Sequence, residues 1–475
     1  MKKIFALLFI CWLAALALAQ TSQVAPSRPL VFTHATVIDM TGAAAQPDMT
    51  VVVVGDRITE IGKSDNVKLP AGAQIIDATG KFLIPGLWDM HVHEWDKNLF
   101  FPPFIANGIT GVRDMFGPLP LIKQWRKEIE AGQTIGPRIV AAGPIVDGPK
   151  PIWPGSLAVA NAEEGRKAVA TVKQGGSDFI KVYSLLPRDA YFAIADEAKR
   201  QGMTFAGHVP EAVSAAEASD AGQKSIEHLT GVLLACSSKE DEIRKDANAH
   251  VSAGTATLLN SFIQNQVKAL DSFDGKKCTA LAARFVRNHT WMSPTLTVLR
   301  AIAFIGDESF RNDPRLRYIP ASLRSTMWGP SAFGRDKRTA EDNASAKRVF
   351  QKQLELVQVM KRAGVPFIVG TDTPNPYVFP GFSLHDELAM FVQAGFTPME
   401  ALQAATRNAA QYLGKLDALG TVEKGKLADL LLLDASPLAD ISNTKKIRAV
   451  VLGGRLVDRA MIDEMLAKIE AAGQK

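Results

Sequence analysis

Eight short apolar runs recur between Leu83 and Asp372, and most are followed by an amphipathic stretch that ends at glycine. No other feature constrains the fold of the chain as strongly. The runs are LIPGLWDMH, GITGVRDM, RIVAAGP, SDFIKVY, MTFAGHV, SIEHL, TWMSPTL and VPFIVGTD. Apolar runs of this length, bounded by turn residues, suit strands buried on both faces of a parallel sheet. The interleaved LPLIKQWRKEIEAG, NAEEGRKAVATVKQGG, RDAYFAIADEAKRQG and PEAVSAAEASDAG carry helical spacing and glycine stops. Eight strand–helix units point to a closed (β/α)8 TIM barrel rather than an open doubly wound sheet.

Outside that region the texture changes. LVFTHATVID, MTVVVVGDRITEIGKS and AQIIDATGKFLIPG precede it; GTVEKGKLADLLLLDASP and IRAVVLGGRLVD follow. These are short β runs punctuated by glycine and aspartate. The two ends are expected to form one small β-sandwich domain, residues 20–84 with 416–475 and a terminal helix, around a barrel of residues 85–415. His34, in the first run, reads as a structural or edge histidine rather than a ligand. Two polar insertions, roughly 233–288 and 300–350, break the rhythm and are expected over the barrel mouth. After the eighth run, SLHDELAMFVQAGFTPMEALQAATRNAAQYLG predicts a helix pair. Its second helix opens with a capping box, Thr397 to Glu400, and Pro398 at the first helical position.

The chain has 475 residues, 47% hydrophobic and 22% charged, which excludes a disordered protein. A net charge of +5 is spread without a dense basic block, so no nucleic-acid surface is expected. The opening MKKIFALLFICWLAALALAQ pairs Lys2 and Lys3 with an apolar core from Ile4 to Leu16 and a small-x-small end at Ala19. It reads as a signal peptide, residues 1–19, cut after Ala19 and delivering a secreted or periplasmic chain. The core is shorter than the roughly 20 residues a membrane span needs, so no stable insertion is expected. Cys236 and Cys278 remain after cleavage. Export permits them to pair across the first insertion, but two cysteines do not dictate a disulfide.

The unusual residues stand at the ends of the apolar runs. His91 and His93 are two apart on a strand and share one side. Lys181 lies in the fourth run, His208 ends the fifth, His228 the sixth and Asp372 the eighth. Each alone has an ordinary explanation: a paired lysine, a core histidine, a capping aspartate. Six of them over five strands, at the carboxyl ends where barrels build their sites, form a metal-binding set. Imidazole and carboxylate suit zinc and its neighbours better than calcium or magnesium. His91, His93 and Asp372 would take one ion, His208 and His228 a second.

Taken in order, LWDMHVH, GITGVRDM, FIKVYS, GHV, IEHL, GTDT, HDELAMFVQAGFTPMEALQAATRNAAQYLG and GTVEKGKLADLLLLD resemble the amidohydrolase superfamily. Within it, the likeness is to the branch of imidazolonepropionase-related and prolidase-like metal peptidases. The resemblance implies a distorted (β/α)8 barrel and two divalent metals, most often zinc. It also implies that Lys181 is carbamylated, as N6-carboxylysine, and bridges both ions. A hydroxide between the metals would attack an amide carbonyl, with Asp372 as the catalytic proton carrier. A tyrosine at the place of Tyr183 resembles one that contacts substrate; a packed aromatic at the mouth is the other reading. His289 precedes the seventh run, and His385 either lines the site or caps its helix. Arg113 meets either a substrate carboxylate or Asp114. Trp153, in the Gly/Pro-rich AAGPIVDGPKPIWPGS, is either a stacking surface or packed.

The expected activity is hydrolysis of the C–N bond of a small molecule, a dipeptide of Xaa-Pro type or an N-acyl amino acid. The rival enzymatic reading is a cyclic amide, a lactone or an aryl amide such as a mycotoxin. A non-catalytic binding or scaffolding protein on the same fold is the third reading, and it predicts missing ligands. The family's tendency to oligomerise makes a homo-oligomer an open expectation.

Overall fold

A computed structural model describes residues 28–249, 255–329 and 338–473. The expected leader and its cleavage after Ala19 lie outside the described residues. The amino-terminal strands are β1 (Leu30–Val37), β2 (Gln46–Val54), β3 (Arg57–Lys63), β4 (Gln74–Asp77) and β5 (Phe82–Pro85). Across the chain they meet β15 (Leu430–Leu433), β16 (Ile447–Leu452) and β17 (Arg455–Asp458). All eight join one sheet, in the order β17-β16-β15-β5-β1-β2-β3, with β4 beside β1. The two termini meet where β5 pairs antiparallel with β15, Leu83 opposite Leu432. Phe32, Val51, Leu83, Leu430, Leu432 and Val451 fill the core of this unit.

Gly86 carries the chain from this sheet into the next layer. A side chain there would begin 2.1 Å from Thr110 Oγ1, so only glycine lets the two units approach. The LIPGLWDMH run therefore divides, LIP joining the terminal sheet and LWDMHV the barrel-like unit. The following units are β6 (Leu87–Val92), α1 (Lys97–Ala106), β7 (Ile109–Asp114), α2 (Leu119–Glu130) and β8 (Arg138–Ala141). Then come β9 (Ile145–Asp147), β10 (Leu157–Ala158), α3 (Ala162–Gly175), β11 (Ile180–Val182), α4 (Arg188–Gln201), β12 (Phe205–Gly207), α5 (Ala215–Asp220) and β13 (Ser225–Glu227). The glycine stops act as read: Gly176 and Gly202 end α3 and α4 in the left-handed conformation.

The architecture is TIM-barrel-like, with parallel strands and helices alternating. Strands β6-β7-β8 form one sheet, and β10-β9-β11-β12-β13-β14 form another, β14 being Trp291–Ser293. The eighth run forms bridges rather than a regular strand, and these join the two sheets. Ile368 N donates to Met292 O at 3.0 Å, and Asp372 N to His91 O at 2.8 Å. On the other side the ladder breaks between β8 and β9. There Gly143 turns left-handed (φ 71°), and Pro144 has no N–H to give. Part of the Gly/Pro-rich segment thus enters the sheet as β9, beside β11, instead of remaining loop.

The first insertion contains helices Glu240–Ala249 and Thr255–Asp271 and ends in α6 (Gly275–Arg287). Cys236 and Cys278 form a disulfide across it, at a sequence separation of 42. Reduction is expected to lower stability by about 2–4 kcal/mol, read as a shift in the urea midpoint with and without reductant. The second insertion follows α7 (Leu296–Phe304) and runs into α8 (Ala340–Ala363). Both insertions touch loops at the carboxyl ends of the strands. Arg244 binds the carbonyls of Glu211 and Val213, just after His208. Trp328 Nε1 donates to Pro374 O at 2.7 Å, just after Asp372. The predicted helix pair is three helices: α9 (Phe382–Gln393), α10 (Pro398–Ala404) and α11 (Arg407–Tyr412). The Thr397–Glu400 capping box is present, and Thr406 (φ −135°, ψ −87°) splits the second helix. The chain closes with α12 (Arg459–Gly473).

Candidate metal centre

The strands deliver four imidazoles into one cluster. Ring centroids lie 5.3 Å apart for His91 and His93, 4.5 Å for His91 and His228, and 4.9 Å for His208 and His228. Asp372 completes the group. Its Oδ1 is 2.9 Å from His93 Nε2 and 3.3 Å from His91 Nε2, and its Oδ2 is 3.8 Å from His228 Nδ1. Ligand atoms of His91, His228 and Asp372 all lie within 4.8 Å of one another. Lys181, on β11, is 1% exposed, and its Nζ has no hydrogen-bond partner. Gly207 makes room beside it: a side chain there would meet Val182 O at 2.1 Å and Lys181 Cδ at 3.0 Å.

Several backbone conformations at the centre are strained. His228 (φ 57°) and Asp372 (φ 65°) are left-handed, which costs of order 1–3 kcal/mol each and is typical of functional sites. Gly370 has a different constraint, close approach. A side chain there would fall 2.7 Å from His91 Cβ and 2.8 Å from Ser293 Oγ. Gly370→Ala is expected to lower stability by about 1–3 kcal/mol. It should also displace His91, seen as a lower melting temperature together with reduced metal content.

Electrostatics favour the ligating forms. Burial holds His91 and His208 well below the ordinary histidine range, with the Lys181 charge adding to it. Burial likewise pushes His228 down to about 4, despite the opposing pull of Asp372. These three imidazoles are therefore neutral at pH 7, as a metal requires. Burial pushes the Asp372 carboxyl up, but His228, His93 and Lys181 hold it below the usual carboxylate range. Burial lowers Lys181 to about 8, so a free amine is accessible near neutrality. The donor set fits a divalent cation. His91 Nε2 is buried without a hydrogen bond and faces a carboxylate oxygen, two electron-rich groups that only a proton or cation reconciles.

Tyr183 lies beside this cluster, its ring stacked on His208 at 3.9 Å between centroids. Trp153 Nε1 donates to its hydroxyl at 2.8 Å, so Trp153 is held by a specific bond at the wall. Three sequence-derived substrate contacts need correction. Arg113 is fully buried, and its guanidinium meets Glu227 at 2.9 Å rather than Asp114. His289 sits in an exposed turn before β14, at the end of the strand opposite Ser293. His385 is buried in α9, and its Nδ1 is 2.9 Å from Thr444 Oγ1 of the carboxyl-terminal segment. That bond ties α9 to the carboxyl-terminal segment. His34 is exposed on β1, an interior strand of the terminal sheet, and its Nδ1 lies 2.8 Å from Asp48 Oδ1.

Two acids were missed. Asp89 accepts from Thr371 N at 2.9 Å and from Thr371 Oγ1 at 2.6 Å, tying the first run to the eighth. Glu227 meets His91 Nδ1 at 2.8 Å. The signal was a carboxylate inside an apolar strand, in LWDM and SIEH, which is costly unless paired.

The amidohydrolase family model matches residues 82–457. The chain is similar to the imidazolonepropionase of Aeromonas hydrophila, 38% identical over 96 residues, 20% of this chain and 23% of that protein. It thus spans about a quarter of the length of that relative. It is similar to the ochratoxinase of Aspergillus niger at 23% identity over 441 residues, 79% of this chain and 75% of that one. A prolidase-like protein of Bifidobacterium longum superposes with a TM-score of 0.64 at 27% identity, covering 94% of this chain and 99% of that one.

Proposed function

The chain belongs to the amidohydrolase family, and from that premise we propose that it is a binuclear metal-dependent amidase cleaving Xaa-Pro-type dipeptides or N-acyl amino acids. The observation that carries the reading is the convergence of His91, His93 and His228 on Asp372, beside a buried Lys181 amine without a hydrogen-bond partner. His91, His93 and Asp372 would hold one ion, His208 and His228 the other, and carbamylated Lys181 would join them. Zinc is the metal proposed on ligand type. Bound divalent ions polarise carbonyl oxygens and acidify water. The chain's own groups do the rest. Asp372 takes the proton of the attacking water and passes it to the leaving nitrogen. Tyr183, stacked on His208 beside the cluster, contacts the substrate. The insertions, docked after His208 and Asp372, shape the pocket and limit access of water.

The likeness to an ochratoxinase over most of the chain favours, as a second reading, an aryl amide substrate. We also propose a secreted or periplasmic location after cleavage near Ala19, which the Cys236–Cys278 disulfide supports. Among the described residues no helix is long and apolar enough to cross a membrane. The closed barrel of residues 85–415, the sandwich packing of the terminal unit and a homo-oligomer belong to the same proposal.

Elemental analysis of the purified chain, combined with a panel of Xaa-Pro, Xaa-Arg, N-acyl amino acid, aryl amide and lactone substrates, tests the reading. About two metals per chain and turnover of the dipeptides or acyl amino acids are expected. Less than one metal per chain, or turnover confined to lactones, overturns it.

A further inference from the structure

One buried network remains unaccounted for by the reading above. Arg113 on β7 and Glu227 on β13 are both completely buried, and Arg113 Nη2 reaches both Glu227 oxygens at 2.9 Å. Arg113 Nη1 donates to Ser225 Oγ at 3.0 Å and to Tyr412 Oη of α11 at 2.7 Å. Its Nε donates to Met90 O, the carbonyl just before His91. Ser225 Oγ donates to Glu227 Oε1. Glu227 Oε2 then meets His91 Nδ1 at 2.8 Å.

The polarity of this network determines the histidine. Guanidinium nitrogens only donate, and a carboxylate facing one only accepts. Glu227 therefore accepts from His91, so the ring hydrogen sits on Nδ1 and the lone pair on Nε2. The other three rings have neutral outer partners. His93 Nδ1 lies 3.4 Å from Phe116 O, His208 Nδ1 2.9 Å from Ser184 Oγ, and His228 Nδ1 2.6 Å from Thr295 Oγ1. Among the described residues, Glu227 is the one carboxylate outside the candidate ligands that touches any of the four rings.

We infer that Glu227 and Arg113 are a positioning pair: together they lock His91 as the Nδ1–H tautomer and aim its Nε2 lone pair at the metal. Arg113 has two parts in this. It gives Glu227 a donor to both of its carboxylate oxygens, and it grips the backbone next to His91. An ionised partner also makes the imidazole a stronger ligand than a neutral one does. The inference rests on the proposed metal site, but its core, the tautomer, can be measured without metal.

The test uses the full chain with zinc as the probe. Glu227→Gln keeps the shape and loses the charge, and it should weaken zinc binding ~10–100-fold in competition with a chelator. That variant leaves Arg113 without its counter-charge and so carries a folding risk. Glu227→Gln/Arg113→Met removes both charges, and a buried pair replaced whole by neutral groups is tolerated. It should melt near the wild-type temperature and still bind zinc ~10–100-fold more weakly. Wild-type zinc affinity in a folded double variant overturns the inference. Nitrogen-15 NMR of metal-free wild-type protein, with His91→Asn to assign the signal, reads the tautomer directly. A hydrogen on Nδ1 is expected, and one on Nε2 overturns the inference even if neither variant folds. Absence of zinc binding by the wild type would sink the metal reading and leave the tautomer measurement to decide this one.

Discussion

Asp372→Asn should remain folded and bind metal, yet lose turnover by roughly 100- to 10,000-fold, the scale of a positioned acid–base group. Asparagine matches aspartate in size and tolerates the left-handed backbone at this position (φ 65°) better than most residues. The main-chain bond from residue 372 to His91 O, 2.8 Å, is untouched. What disappears is a carboxylate oxygen that meets both His91 and His93, and with it the capacity to take a proton. Steady-state kinetics on the best substrate of the panel, beside metal analysis and thermal melting, separates the outcomes. Wild-type turnover would overturn the catalytic role of Asp372. Loss of all metal with turnover would mean a purely ligating one.

Lys181→Met tests the other central assignment. The amine is 1% exposed and has no hydrogen-bond partner, so an apolar side chain of similar length removes a desolvated polar group. Stability should be unchanged or higher. If Lys181 bridges two ions as a carbamate, the variant should carry fewer metals per chain. Its activity should fall by more than roughly 100-fold, as when positioned catalytic electrostatics are removed. Carbon-13 NMR after incubation with labelled bicarbonate adds a direct readout. A carbamate signal is expected in the wild type and absent in the variant. Burial brings the amine down to about 8, and only the free amine reacts with carbon dioxide. Labelling of the wild type should therefore fade as pH falls below that value. Equal metal content and activity in the two proteins would end the bridging assignment.

Much of this centre was legible before any fold was drawn. His91 and His93 announce a shared side by their spacing. Lys181 lies within the fourth apolar run, and His208, His228 and Asp372 each sit at the end of one, which a parallel α/β fold gathers at one rim. Capping signals were equally local: Gly176, Gly202 and the Thr397–Glu400 box behave as their immediate sequence implies. The errors came from residues whose partners are distant. Arg113 stands next to Asp114 in sequence but pairs with Glu227, 114 residues away. His385 looked available for a site, yet it is buried with its Nδ1 against Thr444 of the carboxyl-terminal segment. His289 adjoins the right strand at the wrong end.

By itself, the sequence determined the alternation of strands and helices, where each element stops, and which side chains stand at the strand ends. These are short-range matters of backbone geometry and side-chain periodicity. Only the tertiary structure decided which of those side chains meet, and on what terms. His93 and Asp372 are 279 residues apart and His91 and Glu227 are 136 apart, and they touch because the eighth run crosses back to β6 and β13 stands across from it. The choice of partner inside a dry core follows from which buried donor lies nearest a buried charge. That is a property of the assembled layers, where an unpaired ion costs too much to keep.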